Sequence, residues 1–396
     1  MHKLLIIGAG SAGSVVIKKC LANNSVFSEI HVATHNLDKL NQFKAKFNLN
    51  IHTHYCDANN VEELTSLLNN VQPKCVVNMA LPYQDLAIMK ACLNTGTHYI
   101  DTANYEPIDK AEFCYKWQWD LHEEFKQKNL MALLGCGFDP GVTNVFCAYA
   151  QKELFDEIDT IDIIDCNAGD HGKAFATNFN PEINIREITQ RGKYFDNGKW
   201  PTLDPLSVHQ SIYFPEVGYK DAYLMYHEEL ESLARHINGV QKIRFWMTFS
   251  KQYLTHLEVL QNVGMTRIDA IKYKGVDIVP LQFLKEVLPD PSSLAENYTG
   301  KTSIGCVIKG RKDSKELTKI IYNICEHQDA YQDCQAQSVG YTTGVPASVA
   351  AELLCNEVWF KPGVINIEQC DPVPFLNKLP DAGLTWQVKD YAYEIN

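Results

Sequence analysis

The sequence predicts an α/β chain: a doubly wound parallel sheet with a second, α+β domain behind it. Three observations predict this. A strand-length apolar run, Lys3-Leu4-Leu5-Ile6-Ile7, opens directly into Gly8-Ala9-Gly10-Ser11-Ala12-Gly13 and then a helically spaced stretch from Ser14 to Leu21. Short apolar runs then alternate with helical patterns as far as residue 134, the rhythm of a parallel sheet. Beyond about residue 155 the alternation stops, and strand-like runs are separated by long aromatic and polar loops.

The first turn has the G-x-G-x-x-G spacing of a Rossmann dinucleotide-binding unit, and each glycine has a separate task. Gly8 permits the tight turn, Gly10 lets the backbone approach a pyrophosphate, and Gly13 lets the helix pack on the strand. The helix that follows this turn, in which Ser11 and Ala12 also stand, then aims free amides and the positive end of its dipole at the phosphates. The second strand ends in Ala33-Thr34-His35, and no acid follows until Asp38. An NAD site usually has an acid there to hold the ribose 2′-hydroxyl. Its absence removes the charge that would repel a 2′-phosphate, and Thr34, His35 and Lys39 can donate to one. NADP(H) is the expected cofactor, without the bidentate clamp an arginine offers.

Residues 36–47 read as a helix, 51–55 as a strand and 61–70 as a helix. Residues 74–80 read as a buried strand, 86–95 as a helix closed by Gly96, and 98–101 and 130–134 as two more strands. Ligands of such sheets lie beyond the C-terminal strand ends. That rule adds Asp57, Ala58, Ala80, Leu81, Pro82, Tyr83 and Asp101 to the candidates, with Gly137 in the loop after residue 134. In that loop Asp139 can cap a helix that begins with Pro140.

With 396 residues, 45% of them hydrophobic, the chain has material for two cores. The expected division is 1–141 for the dinucleotide-binding domain, 142–338 for an α+β catalytic and dimerisation domain, and 339–396 for a segment returning to the first. In the second domain, residues 160–166, 242–249 and 303–309 are expected strands. Residues 314–327 are an expected helix, and 344–348 start another over 349–358. No apolar run has the length of a membrane span. A net charge of −12 speaks against nucleic acid as a partner. Thirteen cysteines without a C-x-x-C pair suit reduced thiols, so a cytoplasmic protein without a signal peptide is expected.

His52, His54 and Cys56 share one face of a strand. A half-exposed polar strand explains them, and no metal is expected. Asp101 and Asp139 each cap a local turn or hold a substrate ammonium. Residues 176–187 concentrate amides and acids around Arg186. They form a surface loop or a substrate loop in which Arg186 takes a carboxylate through two parallel bonds. Residues 225–230 read as one face of a helix, with His227 structural or beside the substrate.

Three stretches now stand together: Val-Val-Asn-Met-Ala-Leu-Pro-Tyr-Gln-Asp-Leu at 76–86, His-Tyr-Ile-Asp-Thr-Ala-Asn-Tyr-Glu at 98–106 and Gly-Phe-Asp-Pro-Gly-Val-Thr-Asn at 137–144. With residues 178–187, 225–230 and 245–249, they resemble the saccharopine dehydrogenase-like reductases, most closely the carboxynorspermidine dehydrogenase branch. The resemblance runs nearly end to end and departs at Thr34-His35, where relatives often show Ser-Arg. It implies an NADPH-dependent reductive condensation in polyamine biosynthesis. L-aspartate β-semialdehyde and a diamine, 1,3-diaminopropane or putrescine, form an imine that hydride reduces. It implies Asp101 and Asp139 as catalytic acids, and Tyr83, Tyr105, Asn178, Glu182, Arg186 and His227 around the substrates, in a homodimer. Acids in the cleft would stabilise the protonated imine. The alternatives are the family's lysine-pathway activity, which needs more cationic groups, and a non-catalytic NADP-binding sensor, which has no use for a polar substrate loop.

Overall fold

The computed structural model of the chain describes residues 1–110 and 112–396. Its first half builds six parallel strands: β1 (His2–Ile7), β2 (Phe27–Thr34), β3 (His52–Tyr55), β4 (Cys75–Asn78), β5 (His98–Ile100) and β6 (Met131–Leu134). They lie in the order β6-β5-β4-β1-β2-β3. The central strand β1 is buried on both faces: Leu4 and Ile6 join one core, Leu5 and Ile7 the other. The crossovers are α1 (Ser11–Ala22), α2 (Leu37–Lys46), α3 (Val61–Val71) and α4 (Asp85–Thr95). Local chemistry ends them: Asn36 and Asn60 side chains accept amides at the starts of α2 and α3, and Gly96 closes α4 at φ +73°. The strands and α2, α3 and α4 stand within two residues of their expected places, and α1 begins three residues before the expected Ser14. Two short helices, Lys116–Trp119 and His122–Gln127, carry the crossover from β5 to β6 where none was expected.

A Cβ on Gly8, whose φ is +99°, would lie 2.6 Å from the Met79 carbonyl oxygen. One on Gly13 would lie 2.4 Å from that of Gly8. Both are glycine because the turn is packed solid there. Gly10 faces open space, so its bare backbone leaves room for a ligand.

The loop 135–141 leads into α5 (Val142–Tyr149) and then β7 (Glu157–Asn167), the middle strand of a second sheet. Next come α6 (Pro181–Thr189), β8 (Phe195–Asp196), β9 (His209–Phe214), β10 (Gly218–Met225), α7 (Glu229–His236) and β11 (Lys242–Thr248). After them follow α8 (Pro280–Val287), β12 (Lys301–Lys312), β13 (Lys315–Glu326) and α9 (Ser338–Cys355). The last strands are β14 (Gly363–Asn366) and β15 (Trp386–Asp390). The sheet runs β9-β10-β11-β7-β12-β13-β15, with β8 against β11. Only the β7–β11 pair is parallel among the described residues. No helix of the described residues is long and apolar enough to cross a membrane.

Four expectations change. Residues 315–326 form a strand, not a helix. Leu317, Ile320, Ile321 and Ile324 have helical spacing, but the strand buries Ile320 and Tyr322 on one face and Ile321 and Cys325 on the other. Burial on both faces erases the two-residue period. Asp313 and Ser314, both at positive φ, make the two-residue turn back from β12. Residues 181–189 are a helix rather than a loop, capped by the Asn180 side chain. Residues 225–230 are a strand end, a turn and the first residues of α7, not one helix face. Finally, α9 begins at Ser338, upstream of the expected start, and carries Pro346 inside it. Gly340 and Gly344 let it lie against α1: a Cβ on them would stand 2.3 Å from Ser11 Oγ and 2.6 Å from the Ala12 carbonyl oxygen. The C-terminal segment serves both sheets, adding β14 beside β6 and β15 beside β13.

Candidate active site

The C-terminal ends of β1, β2 and β4 face the start of α1. Gly10 caps α1 without a side-chain bond, leaving its first amides free, and the Ser11 hydroxyl is buried without a partner. Free amides, an orphaned donor and the open face of Gly10 fit a pyrophosphate. Ala80, whose amide is held by Asn78 at 3.0 Å, leads through Leu81 into a short turn begun by Pro82. Gly137 bridges to Gly141 and packs on Thr102, a close backbone approach beside this cradle. Toward the adenosine end, the Thr34 hydroxyl oxygen accepts the Asn36 amide, which leaves its own proton to donate. His35 is exposed. Lys39 is not free as expected: it pairs with Asp290 of the second domain at 2.6 Å, so a 2′-phosphate would have to share it. The Asp57 carboxylate accepts two bonds from Asn59, beside a buried Ala58.

The substrate side is a seam between the two domains. The Tyr83 hydroxyl donates to Glu182 of α6 at 3.2 Å, and Lys285 of α8 stands 3.8 Å from the other Glu182 oxygen. The Asn104 backbone N–H reaches Glu228 at 3.4 Å, and the Tyr115 backbone N–H reaches Glu231 at 3.0 Å. Tyr105 rests edge-on against Trp117, its amide held by Gln118. Asn178 accepts from the Tyr298 hydroxyl and, through its carbonyl, from Gln337, the cap of α9. It therefore anchors the helix that lies on the cofactor turn.

Two expected site residues prove to be internal fasteners. Arg186 is 2% exposed, and its guanidinium donates to Glu106 at 2.8 Å and to the carbonyls of Pro107, Ile108 and Lys110. No fork is left for a substrate carboxylate. Asp101 is 2% exposed; one oxygen accepts the Gly135 amide at 2.8 Å and the other Gln118 at 2.7 Å. It ties the ends of β5 and β6 together, and burial lifts its pKa to about 7.

Asp139 and His227 sit in a different setting. The His227 ring stacks on Phe245 at 4.4 Å, bonds Glu229 and lies 3.6 Å from Glu228. Burial lowers its pKa, but Glu229 and Glu228 together carry it well above the ordinary value. Burial and then Asp165 raise Asp139 well above the carboxylate range, and burial lifts Asp165 itself to about 6. The surrounding acids were not singled out from sequence. Burial raises Glu106 to about 7 and Glu187 to about 8, and raises Glu228 as well. The run His227-Glu228-Glu229 was a visible signal, whereas Asp165 lies unmarked within a strand. Both amide atoms of Asn104, Glu106 Oε2, the Tyr115 hydroxyl, Asp139 Oδ2 and Glu229 Oε1 are buried without partners. A seam rich in buried acids with unpaired oxygens is electrostatically completed by a cationic ligand.

Two family models and several known proteins match the chain. The saccharopine dehydrogenase NADP binding domain matches residues 4–133, and the saccharopine dehydrogenase C-terminal domain matches 137–384. Carboxyaminopropylagmatine dehydrogenase of Synechocystis sp. is 54% identical over 98% of this chain and 97% of its own length. Carboxynorspermidine synthase of Vibrio cholerae is 41% identical over 98% and 97%. The solved apo saccharopine dehydrogenase (L-Glu forming) of Saccharomyces cerevisiae covers 99% of this chain and 100% of that one at a TM-score of 0.75, with 13% identity, and so shares the fold. The chain is an NADP-dependent oxidoreductase and belongs to the saccharopine dehydrogenase family.

Proposed function

We propose that the enzyme reduces the imine formed between L-aspartate β-semialdehyde and a basic amine, in polyamine biosynthesis. The observation that carries this reading is the seam of buried acids with unpartnered oxygens around Asp139 and Glu229. The 54% identical relative is named for an agmatine product, so agmatine is the first amine in this reading. The carboxynorspermidine synthases, at 40 and 41% identity, support a diamine as the second.

Amine and aldehyde lose water to form the C=N bond, and the protonated imine carbon takes up hydride. The reduced nicotinamide, when bound at the Gly8–Gly13 turn, supplies that hydride. Asp139 delivers or holds the proton at the imine nitrogen, since burial keeps it in the acid form. Glu228 and Glu229 face the remaining cation of the amine. With Arg186 committed, Lys285 and His227 take over the semialdehyde carboxylate. Holding both substrates beside the nicotinamide supplies much of the rate.

NADPH oxidation by the purified enzyme should require aldehyde and amine together, agmatine exceeding 1,3-diaminopropane and putrescine, with NADPH preferred over NADH. Aldehyde alone reduced at a similar rate would make this a simple aldehyde reductase. Turnover confined to glutamate with an aminoadipate semialdehyde would move it to lysine chemistry. No turnover with any pair would favour a sensor.

A homodimer belongs to the same proposal. Val259, Val263, Tyr273, Val276, Phe283 and Val287 expose large apolar surface within a short stretch of the second domain. Light scattering is expected to give twice the 44.9 kDa chain mass. A monomer at assay concentration would refute it.

A further inference from the structure

The histidines that share one face of β3 meet a second strand in the fold. His52 pairs in register with His31 of β2, and His54 with Ala33. The two-residue period of a strand then puts Glu29, His31, His52 and His54 on one face at the open edge of the sheet. The His31 and His52 rings stack with centroids 4.6 Å apart. One ligand atom from each of Glu29, His31 and His52 lies within 4.8 Å of the others. His31 is buried, Glu29 half-buried and His52 exposed, so the group has a floor and an open side.

The two nitrogens of His31 have different neighbours. Nδ1 lies 2.9 Å from His54 Nε2, and Nε2 lies 3.2 Å from Glu29 Oε2. Two imidazole nitrogens at that distance share one proton. When His54 Nε2 donates it, His31 Nε2 keeps a proton and donates to Glu29; when His31 Nδ1 donates it, the Nε2 lone pair faces a carboxylate oxygen and a cation belongs between them. A proton there joins two groups; a metal ion joins Glu29, His31 and also His52.

We propose that Glu29, His31 and His52 form a surface site for a borderline divalent transition metal, Zn²⁺ in the first place, with His54 fixing His31 from behind. Two imidazoles and a carboxylate are a donor set that zinc accepts, with a water completing the coordination. An outer partner that holds the far nitrogen of a ligating histidine is the usual support of such a ligand. Lys3, 3.4 Å from Glu29, is the cation the metal displaces. Bound metal staples the edge strand β3 to β2, directly ahead of Thr34 and His35 at the adenosine end of the cofactor cradle. This site is separate from the Glu187–His227–Glu228 group, which belongs to the substrate seam.

The test uses the untagged full-length chain, stripped by a chelator and titrated with zinc by calorimetry, with Co²⁺ absorption as a second readout. One strong site per chain is expected, together with a zinc-dependent rise in melting temperature. His52→Ala, at an exposed position, should keep the fold and abolish both effects. His54→Phe should weaken zinc roughly 10- to 100-fold through the lost outer support. Glu187→Gln should leave zinc binding unchanged. Absence of a strong site overturns the proposal, as does binding that survives His52→Ala or depends on Glu187.

Discussion

Replacing Arg186 with leucine is expected to lower the melting temperature by about 10 °C while leaving the Michaelis constants of the surviving folded enzyme near wild type. The guanidinium is 2% exposed and clasps Glu106 together with three carbonyls of residues 107–110. Its loss strands the Glu106 carboxylate, which burial already pushes to about 7, and orphans the carbonyls. Breaking one side of a buried pair costs about 3–5 kcal/mol, and a chain of this size loses about 2–4 °C per kcal/mol. Lysine keeps the charge but not the fork, so Arg186→Lys should recover only part of the loss. Replacing Glu106 by leucine in the Arg186→Leu background should recover more, because the stranded charge disappears with its partner. Thermal melts of the three variants, with steady-state kinetics, decide the matter. A leucine variant as stable as wild type, with a raised Michaelis constant for the semialdehyde, would return the guanidinium to the substrate.

Asp139→Asn should lower kcat by roughly 10²- to 10⁴-fold, the usual weight of a positioned proton donor. Its stability should hold. Because burial and Asp165 raise Asp139 above its unfolded value, the folded chain binds a proton there that the unfolded chain has lost. That contribution to stability is present at low pH and fades as pH rises through the folded pKa. Asparagine carries no such dependence, so the variant should melt no lower than wild type above neutrality. The wild-type rate should fall on the alkaline side as Asp139, raised by burial and Asp165, gives up its proton, a limb the variant loses. A variant within threefold of wild type would place the proton elsewhere, with Glu187, lifted by burial to about 8, the next residue to replace.

Much of the first domain was legible because its signals are local. A glycine forced to positive φ beside the Met79 carbonyl, an asparagine capping the next helix and an apolar run of strand length each act within a few residues. The missing acid after β2 is likewise a statement about one position, and it agrees with the NADP binding-domain match. The two-residue period carried the histidines to a common face of β3, though not to His31.

Tertiary structure decided what depends on distant partners. Whether Arg186 is a substrate fork or a fastener turns on Glu106, eighty residues away in the chain. Asp101 is spent on an amide at Gly135 and an amide group at Gln118, neither of which marks it from sequence. The strand at 315–326 hid behind a helical pattern because two cores bury its two faces. Residue types near the seam announced acids and amides; only the fold determined which oxygens were already satisfied. The physical reason is that hydrogen bonding and desolvation depend on what stands within about 3 Å, and local propensity carries no information about contacts across the chain.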